Sequence, residues 1–523
     1  MERNIARLAT AVLTGLLLVA LGLGYWQLWE APALAARPNN PRPYEEDRRV
    51  LRGRILDRNG VELARTRPDG TREYPFPGLV HVVGYYSPRF GRTGIEAAYD
   101  TYLRGLHSSD PLQRLRDQLL HRPLVGADIR LSIDVELTRL ALEALGASAG
   151  AAVVLDPTSG EVLALASSPY FDPNRLADQW DALQTDARAP LLARATEGLY
   201  TPGSVFKIVT ATAAIDLGKV DLRAAHDCTT DLIVDGFRIE QKNHPHLRRV
   251  TFAQDFAWSD NVTFAKAGLG LGTSGLIDFD DHAPRPYPWE REGIARSAAR
   301  LLDYAHRFGF GESIPFDLPV AVSQVGAREG FTPALLASTA FGQGELQVTP
   351  LLMALIAATV ADGGTMPAPY LAIEARRPDG QVERLHQPGR RLRQVMQPAT
   401  AAAMNQLMIQ SVQEGYARPA QLPGVQVGGK TGTAEVGPGL APHAWFVGYA
   451  PADRPRVVVA VIAENRGSGT EVATPIGRQL LAAALARTAG TPGPAAEVIA
   501  NGEWPVGMAP GAGALYCPLP ARG

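Results

Sequence analysis

The chain has 523 residues, long enough for two or more domains around a sizeable core. With 46% apolar and 20% charged residues its composition is ordinary for a globular protein, and a net charge of -2 gives no basic footprint for nucleic acid. Cys228 and Cys517 form neither a disulfide framework nor a metal motif, and His226, His244, His246 and His443 are scattered without ligand spacing, so metal catalysis is disfavoured.

Leu8 to Trp29 carries no charge and is about the length needed to cross a bilayer. Arg3 and Arg7 precede it and Glu30 follows it. This polarity puts residues 1–7 in the cytoplasm and the bulk of the chain outside, with Tyr25, Trp26 and Trp29 at the outer interface. Ala33-Leu34-Ala35 has the small-residue spacing of a cleavage site, so a removed signal peptide is the rival reading. The apolar stretch is long for a signal peptide, and a retained anchor over residues 8–29 is expected. Residues 30–48, rich in Pro, Ala and charge, read as a linker.

Residues 49–126 read as a small N-terminal pedestal domain. Val50 to Ala64 shows two strands around an Asn59-Gly60 turn, a strong hairpin signal. Gly94 to Gly105 reads as one amphipathic helix closed by glycine. Nothing here has catalytic spacing.

The main domain is expected over residues 127–485. Ile129 to Asp134 alternates like a strand and Val135 to Leu145 reads as a helix. Ala151–Leu155 and Val162–Ala166 form a hairpin of largely buried strands. Pro202-Gly203 then punctuates a turn before an apolar helix running to Ile215. Ser204 falls on the first turn of that helix, where unpaired N–H groups favour a developing negative charge. Lys207, three residues on, shares its face. A serine is a poor nucleophile until a neighbour takes its proton, and an amine in apolar surroundings can do so. Only five lysines stand among the 51 basic residues: Lys207, Lys219, Lys242, Lys266 and Lys430. Arginine cannot give up its proton, so a lysine at this spacing points to chemistry.

Ser259-Asp260-Asn261 follows, with a second hydroxyl and a carboxamide two residues apart; a helix N-cap at Ser259 or Asp260 is the simpler reading of these residues alone. Residues 272–298 are polar and Pro-rich and read as a surface insertion. Phe341-Gly-Gln-Gly344 and the Ala/Leu-rich helix to Val360 look structural. In Val427-Gly-Gly-Lys-Thr-Gly-Thr-Ala-Glu435 the glycines permit close backbone approach, and a strand edge here would accept an extended peptide. Gly424 to Thr431 also fits the phosphate-loop spacing, but no helix opens after Lys430, so that reading is set aside. Arg456 to Ala463 is a buried strand, Ala473 to Leu485 a closing helix, and residues 486–523 a Pro/Gly/Ala-rich tail.

Ser204-x-x-Lys207, Ser259-Asp-Asn261 and Lys430-Thr-Gly432 occur in that order, and together they resemble the three-motif signature of penicillin-binding proteins and serine β-lactamases. Arg52-Gly-Arg-Ile-Leu-Asp-Arg-Asn-Gly60 and Gly94-Ile-Glu96 further resemble the N-terminal signatures of class B penicillin-binding proteins, among which the chain is similar to the PbpA-like peptidoglycan D,D-transpeptidases. The resemblance covers the anchor through about residue 485. It implies an α+β class: a transpeptidase domain with a five-stranded antiparallel sheet flanked by helices, after a transmembrane helix and a small α+β pedestal. It also implies the roles. Lys207 would take the Ser204 proton, and Ser204 would attack the penultimate D-Ala carbonyl of a stem peptide ending in D-Ala-D-Ala and expel the terminal D-Ala. The N–H groups of Ser204 and Thr433 would hold the oxyanion, and Ser259 would relay a proton with Lys430 nearby. Asn261 would bind the substrate amide; Thr431, Gly432 and Thr433 would bind its carboxylate and align the strand. β-Lactams would acylate Ser204, no cofactor is implied, and a polytopic SEDS-type glycosyltransferase is the implied partner. Alternatives of the same fold are a D,D-carboxypeptidase, a β-lactamase, or a non-catalytic penicillin-binding scaffold or sensor. The implied location is the inner (cytoplasmic) membrane, single-pass, with the catalytic domain on the periplasmic side.

Overall fold

The computed structural model describes residues 2–30, 50–107, 124–229, 231–241, 247–280, 291–326 and 330–488. Residues 31–48 of the expected linker (30–48), the tail beyond 488, Cys517 and the histidines at 244 and 246 lie outside the described residues. The first helix, α1 (Glu2–Gly24), continues into a π turn at Tyr25–Trp29. Residues Arg3–Gln27 are long and apolar enough to cross a membrane, and none of that span is buried against the rest of the chain.

β1 (Ile55–Leu56) and β2 (Glu62–Thr66) form the expected Asn-Gly hairpin, with β3 (Arg72–Glu73) added beside β2. Asp57 secures the turn by accepting from the N–H groups of Asn59 (2.7 Å) and Val61 (2.9 Å). The single helix expected from Gly94 is two short ones, α2 (Gly94–Ala98) and α3 (Asp100–Leu103). Here the two N-terminal signature stretches meet. Arg52 pairs with Glu96 at 2.8 Å and with Asp100 at 2.8 Å, and Arg72 reaches the second Glu96 oxygen at 2.6 Å. Arg52 and Glu96 are buried, so losing one partner would strand a charge inside the module.

β4 (Asp128–Leu131) runs parallel to β1. α4 (Val135–Leu145) follows, N-capped by Asp134 through Leu137 N (3.0 Å), and leads into the hairpin of β5 (Gly150–Leu155) and β6 (Val162–Ser168). The Ser204 region begins with a 3₁₀ turn at Gly203–Phe206 and becomes α5 (Lys207–Asp216). β7 (Ala225–Asp227) precedes a small hairpin, β8 (Asp231–Val234) and β9 (Phe237–Glu240), and pairs with β10 (Arg249–Thr251). α6 (Phe252–Ala257) and α7 (Asn261–Gly270) flank the Ser-Asp-Asn stretch.

The expected insertion at 272–298 is corrected in part. α8 (Arg291–Arg307) takes its last eight residues into a helix whose Ile294, Ala298, Leu301 and Ala305 are buried. α9 (Pro350–Ala361) is apolar on every side and is the central buried helix. β11 (Ala372–Arg376) and β12 (Val382–Arg384) return to the first sheet, giving the order β12-β11-β4-β1-β2-β3. That sheet joins segments from both sides of residue 126.

α10 (Pro398–Gln413), β13 (Gly428–Ala434), β14 (His443–Ala450), β15 (Val457–Ala463) and α11 (Ala473–Thr488) complete the chain. The main sheet is the expected five-stranded antiparallel one, ordered β13-β14-β15-β5-β6. Side chains alternate between its faces. Phe446, Val459, Val461 and Ala152 pack toward α4 and α11, while Trp445, Val447, Val458 and Val153 pack toward α9. With both faces covered, β15 has no polar side and reads as an unbroken apolar run. β13 is the edge strand, so Gly424–Thr431 leads into a strand and not into a phosphate-binding helix.

Candidate active site

Ser204 and Lys207 stand at either end of the 3₁₀ turn that precedes α5. In a 3₁₀ turn the side chains at i and i+3 eclipse one another, which brings hydroxyl and amine onto the same side more closely than an α-helix does. The turn is held from three directions. Tyr200 exchanges two backbone hydrogen bonds with Val348 (3.0 and 2.8 Å), and its hydroxyl donates to Glu464 at 2.7 Å. Trp445 on β14 donates its indole N–H to Thr201 O at 3.0 Å.

Two glycines let the backbones close in. Gly203 has φ +57°, and a Cβ there would lie 2.8 Å from Thr433 O on β13. Gly342 has φ +97°, and a Cβ there would lie 1.7 Å from Gly203 O. The Phe341–Gly344 stretch, structural by sequence, therefore forms the wall behind the Ser204 turn. Gly432 is confined less tightly, its Cβ meeting Pro202 O at 3.0 Å.

The second motif reaches the first through the lysine. The Lys207 amine is fully buried; it donates to Ser259 O (2.6 Å) and Asn261 Oδ1 (2.8 Å) and lies 3.2 Å from Ser259 Oγ. Ser259 has φ +59°, a left-handed conformation that is costly for a residue with a side chain and that clusters at functional sites. Asp260 is the N-cap of α7, accepting from Thr263 N at 2.7 Å, so the cap and the site are parts of one turn. Gln241, just past β9, accepts from Asn261 N at 2.9 Å and fixes the carboxamide's backbone. Gln241 carries no spacing signal, because it arrives from 20 residues away in sequence.

Lys430 on β13 is also fully buried and donates to Thr431 O at 3.1 Å, with its amine 5.6 Å from the centre of the Phe256 ring. The Lys207 amine lies 5.3 Å from the centre of Phe264. Burial in this aromatic surround pulls the Lys207 pKa down to about 7, against the opposing pull of Asp260 and Asp255. Burial likewise holds Lys430 well below its ordinary value, with the charge of Lys207 acting in the same direction. Thr431 is buried; Thr433 is exposed and accepts from Gly469 N at 3.3 Å, so its own O–H remains able to donate. The arrangement offers a hydroxyl on the same turn as an amine that is partly neutral near pH 7, edge-strand backbone groups, and a carboxamide. Such a set can open an acyl bond. Among the described residues no group of three or more His, Cys, Asp or Glu could hold a metal. A cavity of about 760 Å³ between the pedestal and the main domain, lined by Tyr85, Phe171, Trp180 and Phe316 among others, contains no residue of the Ser204, Ser259 or Lys430 motifs.

Residues 150–482 match the family described as the penicillin binding protein transpeptidase domain. The chain belongs to this family. Residues 52–129 match the penicillin binding protein A dimerisation domain. The chain is 30% identical to the peptidoglycan D,D-transpeptidase PbpA of Mycolicibacterium smegmatis, over 93% of this chain and 99% of that protein. It is 31% identical to the Mycobacterium tuberculosis protein of the same name, again over 93% and 99%. Among solved structures, the ceftriaxone acyl-enzyme complex of M. tuberculosis penicillin-binding protein A superposes with a TM-score of 0.73 at 31% identity, over 84% of this chain and 99% of that one. The D,D-transpeptidase domain of a peptidoglycan glycosyltransferase from Eggerthella lenta superposes at 0.71 with 30% identity, over 84% and 99%. The penicillin-binding family and the fold expected from the three motifs are thus both found.

Proposed function

We propose that this chain is a peptidoglycan D,D-transpeptidase working through a Ser204 acyl-enzyme. The observation that carries the reading is the convergence of three sequence-distant motifs on one buried amine: Lys207 bonded to Ser259 and Asn261, with the Ser204 turn packed against the Lys430–Thr433 strand. Lys207 takes the Ser204 proton as the hydroxyl oxygen attacks the penultimate D-Ala carbonyl. The Ser204 and Thr433 N–H groups hold the resulting oxyanion, each worth about 3–4 kcal/mol in comparable sites. The C–N bond breaks, and the proton passes through Ser259, with Lys430 beside it, to the departing D-Ala. Asn261 holds the substrate amide, while Thr431 and Thr433 engage the carboxylate along the β13 edge, with Gly432 allowing that approach. The amine of a second stem peptide then attacks the ester carbonyl, the bond to Ser204 Oγ breaks, and the amine's proton passes through Lys207 to the departing Ser204 oxygen as the cross-link forms.

β-Lactams present the same carbonyl and acylate Ser204. The Arg3–Gln27 helix anchors the chain in the cytoplasmic membrane with the catalytic domain on the periplasmic side. There a polytopic SEDS-type glycosyltransferase supplies nascent glycan; detergent co-purification that never recovers such a protein would count against this partner. The test of the central reading is fluorescent penicillin labelling followed by intact-mass analysis. Wild type acquires a long-lived adduct on Ser204 and Ser204→Ala acquires none. Labelling of Ser204→Ala would overturn the assignment, and rapid release of hydrolysed drug would indicate a β-lactamase.

A further inference from the structure

Two carboxylates that the mechanism does not use act on the Lys207 amine: Asp260 at the head of α7 and Asp255 on α6, both buried. They are joined, since Asp260 N donates to Asp255 O at 2.8 Å. Asp260 is occupied as the helix cap. Asp255 accepts from the Thr263 hydroxyl at 3.0 Å, and the same oxygen faces His226 Nε2 at 2.9 Å. His226 comes from β7 and is buried. Its ring stacks on Phe279 at 4.9 Å, and its Nδ1 lies 3.3 Å from Asp227 O. The approach of Nε2 to the carboxylate is oblique, so the contact is one of charge more than of hydrogen-bond direction.

Among the described residues, charged side chains around this cluster include Lys207 on α5, Lys430 on β13 and Lys266 on α7, which donates to Phe279 O at 2.8 Å. On the His226 side, Asp227 of β7 faces Arg249 of β10 at 3.5 Å, and its N–H donates to the Asp280 carboxylate. An unbalanced carboxylate beside a buried amine favours the ammonium form, which cannot accept the serine proton. Resting on the Ser204–Lys207 reading above, we propose that His226 is a positioning residue for acylation: by pairing with Asp255 behind the site it offsets that carboxylate's charge and leaves the Lys207 amine able to accept a proton. The direction of titration agrees. Burial pulls the His226 imidazole down, but the Asp255 carboxylate outweighs it and the net displacement is upward.

The test is the pH profile of penicillin acylation in the full-length protein, for wild type, His226→Gln and Asp255→Asn. Removing the imidazole strengthens the Asp255 field, so the acid limb moves to higher pH: at neutral pH the rate falls about tenfold per unit of displacement, and at high pH it recovers toward wild type. Asp255→Asn moves the limb the opposite way. Uniform loss at every pH with the limb unmoved means a merely structural role and overturns the inference. A variant that fails to fold leaves a second measurement in the unmodified protein. The chain has only five lysines, so ¹³C-labelled Lys207, assigned with Lys207→Arg, can be titrated directly. Two inflections, one at the His226 midpoint, support the pairing; a single inflection overturns it. Silence of Ser204→Ala together with coincident limbs defeats this inference alone, whereas labelling of Ser204→Ala defeats the reading on which it stands.

Discussion

Arginine outnumbers lysine heavily in this chain, yet two of its five lysines, Lys207 and Lys430, are fully buried in one site. An arginine at 207 would keep its proton at any working pH. Lys207→Arg should therefore lower penicillin acylation by about 10²–10⁴-fold, the usual worth of a general base, while thermal melting confirms a folded protein. The wild-type profile should follow from the same group. Its amine must be neutral to act, so the acylation rate should fall as pH drops through about 7 and level off above it. A rate flat from pH 5 to pH 9 would remove Lys207 as the base. Gly203→Ala tests the backbone instead: at φ +57° and 2.8 Å from Thr433 O, an added methyl must push the Ser204 turn away from β13. Acylation should be lost while the main sheet stays intact by far-UV circular dichroism. The spacing of Ser204 and Lys207 was legible because it depends on one turn of chain. His226, Asp255 and Gln241 carry no such signal, because each arrives from a separate element and no local pattern marks it.

Among the elements, α7 couples stability to the site most directly. Asp260 caps its N3 amide, Gln241 takes its N1 amide, and Asn261 is the first helical residue. Asp260→Ala should cost about 1 kcal/mol of stability, as lost caps do, and should also slow acylation measured well above the Lys207 midpoint, where the amine is neutral with or without the Asp260 charge, because Asn261 loses the turn that orients it. Calorimetry and labelling kinetics on the same preparation separate the two effects; lost stability with unchanged acylation would show that the cap does not orient Asn261. The sheet was the easier part to read. Val457–Ala463 and Gly150–Leu155 are apolar throughout because both faces are covered, and α4 shows its buried stripe and its Asp134 cap openly. α8 was hidden. Its stripe of Ile294, Ala298, Leu301 and Ala305 has helical spacing, but the Pro-rich segment before it carries the stronger local signal. The break between α2 and α3 was invisible for another reason: Gly94 to Gly105 has continuous helical patterning, and Tyr99 leaves the helix at φ −112° while its hydroxyl bonds Asp317.

At the scale of the whole molecule, the pedestal and the main domain are joined by strands as well as by surface contacts. β4 lies between β1 of the first segment and β11 from some 240 residues later, a pairing that no local pattern announces. Asp317 holds this junction together. Its carboxylate accepts from the Tyr99 hydroxyl on the pedestal, from Leu371 N at 2.6 Å just before β11, and pairs with His386 Nε2 at 2.9 Å. Tyr102 adds a bond to Glu383 on β12 at 3.0 Å. Burial alone would raise the Asp317 pKa, but the bonds from His386 and Tyr99 outweigh it and the net displacement is downward. A carboxyl whose folded pKa is depressed stabilises the fold above its unfolded value and loses that contribution as pH falls through the folded one. The junction should therefore be fully held at neutral pH and weaken only in acid, below the ordinary aspartate range. Asp317→Asn keeps the shape but removes the charge and one acceptor, which should cost about 1–3 kcal/mol at pH 7. Its melting temperature should converge with that of wild type as both are taken into acid, where the wild-type carboxyl is itself protonated. Acylation of Ser204 should stay at the wild-type rate, since Asp317 touches none of the three motifs. Melts of both proteins from about pH 1.5 to pH 8 decide the matter: a deficit that stays constant through the acid end of that range would mean that packing, and not the carboxylate, holds the two halves together.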